Sequence, residues 1–184
     1  MTVPRVVTLR KTPDGLRIVQ LPFEGVRGLL RRQSKVGAQA IAPGEARLSS
    51  SGIEGSALEI AAVFDPGDAD SFGLKVRQGE GEETVIGFDR RVGEVFVDRT
   101  RSGAVGFSPH FAGRHAAKLS RSGVDTSVHL HLLVDETSVE VFADGGRIVL
   151  TDQVFPKHES RGVSLFAAGG TARLRSLEAW ELRP

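Results

Sequence analysis

Residues 128–156, VHLHLLVDETSVEVFADGGRIVLTDQVFP, decide the fold. Val128, Leu130, Leu132 and Val134 alternate with His129 and His131, the period-two pattern of a strand with one face on a core. Asp135-Glu136-Thr137 supplies a turn, and Val139 to Ala143 returns as a second strand. Asp144-Gly145-Gly146 then turns the chain into Arg147 to Thr151. Connections this short leave no room for a crossover helix, so the strands pair antiparallel.

The same grammar extends outward. Strands are predicted at Val6 to Arg10, at Leu16 to Gln20 after the Pro13-Asp14-Gly15 turn, and at Leu58 to Phe64 before Asp65-Pro66-Gly67. Others follow at Phe72 to Gln78, Thr84 to Asp89, Glu94 to Asp98, Gly162 to Ala167 and Ala172 to Leu182. Residues 23–35 carry enough helical spacing for a single turn, and 33–56 read as a long polar loop. Roughly a dozen strands without helices between them predict an all-β fold: a two-sheet antiparallel β-sandwich of the jelly-roll, concanavalin or lectin type. The expected organisation is a single domain over 1–184, with 1–30 a basic segment packed on the sandwich or leading into it.

Composition agrees with that class. A chain of 184 residues and 19.7 kDa is the size of one domain, and about 70% of its surface is buried on folding. Hydrophobic residues at 40% and charged residues at 26% exclude a disordered tail and a membrane-spanning chain. Met1-Thr2-Val3-Pro4-Arg5 holds no apolar signal core. The absence of cysteine removes disulfides, thiol catalysis and cysteine-metal sites together. Net charge is +1, yet residues 1–35 carry eight Lys or Arg against only Asp14 and Glu24. Those basic residues are scattered among Val, Leu and Pro, so nucleic acid is not the expected partner.

Three groups of residues are candidates for chemistry. His129 and His131 share one strand face, where two imidazoles suit a metal, but no third ligand stands at a diagnostic spacing. No metal or other cofactor is expected. Glu140 interrupts an apolar strand on the face opposite Val139 and Val141, a position costly for a carboxylate without a partner. Asp98 ends another strand directly before Arg99-Thr100-Arg101. Paired carboxylates serve glycosidases, and carboxylates with arginines equally serve sugar recognition, accepting from hydroxyls and donating to ring oxygens. Nucleophile elbows, dinucleotide loops and phosphate loops are missing.

The stretch FVDRTRSGAVGFSPHF at 96–111, followed by 128–156, resembles the C-terminal β-sandwich of glycoside hydrolase family 32, the levanase, inulinase and invertase family. The block DETSVEVFADGG is similar to that family's Asp-x-x-Ser-Val-Glu-Val-Phe pattern, and Phe155-Pro156 fits as well. The resemblance implies a fold like that of fructan-binding carbohydrate-binding modules. In the family, hydrolysis belongs to an N-terminal propeller with WMNDPNG-like, Arg-Asp-Pro and Glu-Cys motifs, and none of these occurs in this sequence. The expectation is therefore a non-catalytic module, with that propeller as its missing partner.

Carried onto this chain, the resemblance implies that Glu140, Asp98, Arg101, Arg99 and His131 bind the terminal fructose of a fructan such as levan or inulin. Aromatic platforms are scarce, since there is no tyrosine and the single tryptophan, Trp180, is expected in the core; Phe72 and Phe111 are the aromatic alternatives. The alternative implied role is a structural sandwich that stabilises or dimerises a family 32 hydrolase, leaving an apolar or basic face exposed. Polymeric fructans imply an extracellular parent protein, and a sucrose-processing parent would be cytoplasmic.

Overall fold

The computed structural model describes residues 2–12, 15–119 and 126–182. Among these, fifteen strands form: β1 (Arg5–Thr12), β2 (Gly15–Pro22), β3 (Leu30–Val36), β4 (Gln39–Ile41), β5 (Gly44–Arg47), β6 (Leu58–Asp65), β7 (Ser71–Gly79), β8 (Glu82–Asp89), β9 (Glu94–Arg101), β10 (Arg114–Lys118), β11 (Val128–Val134), β12 (Ser138–Ala143), β13 (Ile148–Gln153), β14 (Gly162–Ala168) and β15 (Ala172–Leu182). Short 3-10 segments at Glu24–Leu29 and Ser49–Ser51 are the helical content.

Two antiparallel sheets face each other. One runs β10-β9-β8-β7-β14-β5; the other runs β13-β12-β11-β6-β15-β3, with β4 also on β15. The all-β sandwich read from the sequence is the observed architecture. Alternation does the sorting. In β11 the residues Val128, Leu130, Leu132 and Val134 are buried in the core, as are Val139 and Val141 of β12 and Leu58, Ile60 and Phe64 of β6. Across the gap, Phe72, Leu74 and Val76 of β7 and Ile86 and Phe88 of β8 meet them. Phe64, Phe72 and Phe88 stack in sequence at 5.6 and 6.0 Å, and each buried ring contributes about 2–3 kcal/mol.

Some expectations change. Residues 23–35 divide into a 3-10 segment and strand β3, which borders β15. The predicted loop 33–56 contains β4 and β5, two edge strands too short for alternation to reveal. Strand β10 was invisible for the same reason. The Pro13-Asp14 part of the first turn lies outside the described residues. Strands β1 and β2 pair only with each other, Arg5 opposite Pro22 and Thr12 opposite Gly15. They touch the sandwich at the base, where the Gln20 amide donates to the Gly146 carbonyl at 3.1 Å.

Candidate functional site

Strand β9 carries three of the predicted residues, and a bulge distributes them. Val85 of β8 lies opposite Asp98, whereas Glu83 lies opposite Arg101, so β9 uses one extra residue in that interval. Asp98 and Arg101 therefore share the outer face of the six-stranded sheet, and Arg99 turns toward the open edge between the sheets. Asp98 Oδ1 accepts from the Thr100 amide and hydroxyl at 2.9 and 2.7 Å. Arg101 is ion-paired with Glu83, which also meets Lys75 at 3.0 Å.

Arg99 crosses to the other sheet. Its Nη1 donates to the Gln153 carbonyl at 3.2 Å, and its Nε lies 3.4 Å from Asp152 Oδ1. The same oxygen is 2.5 Å from Nδ1 of His115 on β10. Asp152, 1% exposed, thus clasps the edges of both sheets. The guanidinium of Arg99 rests 4.1 Å over the Phe111 ring. Phe111 packs with Phe107 at 4.6 Å and Phe155 at 5.3 Å, leaving Phe107 64% exposed. Gly103 makes this loop feasible: its φ is +89°, and its α-carbon sits against the Phe155 carbonyl, where a side chain has no room.

Glu140 is on the outer face of the seven-stranded sheet. Its Oε1 accepts from the Val3 amide at 2.7 Å and its Oε2 from Arg5 Nη2 at 2.5 Å. Arg5 also donates to Thr151 Oγ1 at 2.7 Å. With 3% exposure and both oxygens engaged, Glu140 anchors the N-terminal segment and offers no open acceptor. His131 is on the same face, opposite Phe142 in the β11–β12 register, its Nε2 2.8 Å from Glu59 Oε1. Asp98 and Glu140 occupy the outer faces of different sheets, so the two cannot flank one glycosidic bond as an acid and nucleophile pair must.

Strand β13 joins the separated halves. Thr151 lies opposite Glu140 in the β12–β13 register, and the next residue, Asp152, meets Arg99. A cleft of about 240 Å³ opens there, lined by Thr2, Thr137, Ser138, Thr151, Asp152 and Gln153. Four hydroxyl side chains and the Gln153 amide match the donors and acceptors of a neutral polyhydroxylated ligand, while the Asp152 carboxylate stays turned toward Arg99 and His115.

Sequence reasoning missed Asp152, His115 and Phe107. For Asp152 a signal existed: alternation in IVLTDQ places it on the buried side with Ile148 and Leu150. Two aromatic expectations are corrected. Phe72 is fully buried in the core. Trp180 is partly exposed, because core-facing Ala179 precedes it, and it borders a second cleft with Arg32, Glu54 and Arg161. Among the described residues no three His, Asp or Glu side chains gather as a metal site, and no helix is long and apolar enough to cross a membrane.

Known proteins resemble this chain in sequence and in fold. The chain is 38% identical to a levanase of Bacillus subtilis over 188 residues, covering 99% of this chain and 27% of the levanase. It is 27% identical to an extracellular exo-inulinase of Aspergillus awamori over 179 residues, 93% of this chain and 32% of that protein. A crystal structure of the A. awamori exo-inulinase superposes with a TM-score of 0.83 at 25% identity, covering all of this chain and 36% of that one. Fructan 1-exohydrolase IIa from Cichorium intybus shares the fold, with a TM-score of 0.78 at 18% identity over 96% of this chain and 40% of that one. The chain thus spans about a quarter of the levanase it matches. The matched part is the sandwich and not the catalytic propeller, which makes this a non-catalytic module. The family pattern described as glycosyl hydrolases family 32 C terminal matches residues 26–181, and the chain belongs to that family.

Proposed function

We propose that this module recognises the terminal fructose of levan or inulin and holds a fused β-fructosidase near its polymer. The observation that carries the reading is the hydroxyl-lined cleft on β13, between the Arg5–Glu140 anchor and the Arg99–Asp152 clasp. Thr137, Ser138 and Thr151 supply hydroxyls that both donate and accept, and the Phe107 ring supplies an apolar surface nearby. In this reading Arg99 belongs to the site by holding Asp152 and the Gln153 carbonyl, and Asp98 and Arg101 extend the polar surface around the end of β9. Glu140 and His131 act indirectly, Glu140 by fixing the segment that contributes Thr2 to the cleft. Tethering raises the local concentration of enzyme and polymer, so a modest affinity suffices. A polymeric substrate places the parent protein outside the cell, in keeping with the extracellular exo-inulinases among its relatives.

A second reading has its own observation. Val7, Leu9, Leu16 and Ile18 form an apolar stripe on one face of the β1–β2 hairpin, each about 60% exposed or more. A two-stranded sheet is marginal by itself, and a stripe of this kind suits burial against the propeller that precedes the sandwich in the family. The two roles use different surfaces and are compatible. Electrophoresis through gels containing levan, inulin or a glucan tests the first: retardation in a fructan gel alone supports it, and equal mobility in all three overturns it.

A further inference from the structure

His115 lies on β10 opposite Val97, so its side chain points to the inner side of the sheet, at the edge where β13 stands across the gap. Its Nδ1 is 2.5 Å from Asp152 Oδ1, and Arg99 Nε is 3.4 Å from that same oxygen. A carboxylate beside an arginine only accepts, so Nδ1 carries the imidazole proton. In the neutral ring Nε2 is then a bare acceptor. The ring is half exposed, at 51%. The other strand histidines are less favourably set: His131 is 30% exposed over a Glu59 that is itself partly exposed, and His129 Nε2 is 3.3 Å from the Ser127 hydroxyl. Among the described residues His115 is thus the strand histidine that pairs a half-exposed ring with a fully buried carboxylate, and no side chain meets its Nε2.

Contacts continue from this point in both directions. Arg99 leads to Phe111 and then to the exposed ring of Phe107. Asp152 and Gln153 lead into the hydroxyl-lined cleft. A fixed acceptor and an open aromatic face lie in one row, joined beneath the surface by a buried carboxylate and a largely buried arginine. Such a row fits a saccharide, which presents hydroxyl donors on its edges and C–H groups on its faces. An anionic ligand would meet Asp152 unfavourably.

We propose that His115 accepts a hydroxyl hydrogen from the bound sugar through Nε2, that Asp152 is the positioning residue fixing its tautomer, and that Phe107 takes the apolar side of the same saccharide. This assignment rests on the fructan reading. It extends the site to His115 on β10, outside the stretches that carry the family resemblance, and gives a role to Phe107 within one of them.

The test is imidazole 15N NMR of the whole chain at constant pH, with a fructo-oligosaccharide as probe and a gluco-oligosaccharide as control. The free protein shows His115 protonated on Nδ1, and the fructo-oligosaccharide shifts Nε2 of His115 while leaving His131 unmoved. The His115→Asn variant keeps a donor at the Nδ1 position for Asp152 but lacks the Nε2 acceptor, so it stays folded. Its affinity falls about tenfold, the value of one hydrogen bond. Binding with an unmoved Nε2 and an unaffected His115→Asn variant overturns the assignment and leaves the fructan reading standing. No shift at any residue and no binding overturns both.

Discussion

Replacing Arg5 by alanine isolates what the Arg5–Glu140 pair does. Glu140 is 3% exposed and keeps the Val3 amide as a partner, while its cation, bonded at 2.5 Å, is lost. Removing one member of a buried pair costs about 3–5 kcal/mol, and the retained amide sets the lower end, about 3 kcal/mol. For a chain of this length that lowers the melting temperature by about 6–12 °C. Arg5 also donates to Thr151 on β13, so the β1–β2 hairpin loses its side-chain attachment at this end and keeps the Gln20–Gly146 backbone bond. Urea unfolding followed by Trp180 fluorescence measures the global change, and hydrogen exchange locates it. Amides of β1 and β2 should lose protection first, with β6 and β11 unaffected. The Glu140→Gln variant keeps an acceptor for the Val3 amide and should lose about half as much. A loss under 1 kcal/mol in Arg5→Ala, with hairpin protection intact, refutes the anchor.

Further expectations follow from other contacts. Gly103→Ala places a methyl group against the Phe155 carbonyl in a backbone of positive φ, costing about 3 kcal/mol or more, as thermal unfolding would record. Burial alone raises the Asp89 carboxyl, but Arg91 and Arg114 outweigh it and hold it below its ordinary 3.8. That stabilisation is complete above about pH 4 and is lost as pH falls through the lower folded value. Glu45 behaves alike: burial raises it, and hydrogen bonds from Lys75 and Gln78 bring it down further. Stability should hold from about pH 7 to 5 and decline below about 4, less steeply in Asp89→Asn; equal slopes would contradict the assignment. Leu9→Thr with Ile18→Thr should leave the melting temperature unchanged and reduce self-association in light scattering, because both side chains are exposed. The purified chain should release no reducing sugar from sucrose, inulin or levan.

The sheets were legible where alternation is long and one-sided. In VHLHLLV every second residue is buried, and burial of one face fixes the register. Short edge strands such as β4 and β10 carry too few residues for a period, and their pairing is set by the partner strand. The site was partly legible for a different reason. The charged residues of β9 and β12 stand out locally, yet their partners are distant in sequence: Arg5 for Glu140, Asp152 for Arg99. A carboxylate that anchors and one that meets ligand look the same in a strand. The bulge at Asp98–Arg101 compounds this, since it reverses the face on which Arg101 falls. Phe107 reads as an ordinary loop residue until Phe111 and Phe155 are seen to prop its ring.

Isothermal titration of the purified chain with short levan and inulin oligosaccharides, beside a Phe107→Ala variant and gluco-oligosaccharide controls, tests fructan recognition most directly. Phe107 is 64% exposed, so the variant should remain folded and as cooperative in unfolding as the parent. The account predicts saturable heat with a fructan, none with the glucan, and about a fivefold weaker isotherm in Phe107→Ala, since stacking on an aromatic ring is worth about 1 kcal/mol. Flat isotherms with every fructan from a demonstrably folded protein would contradict it, and would leave the sandwich as a support for the catalytic propeller.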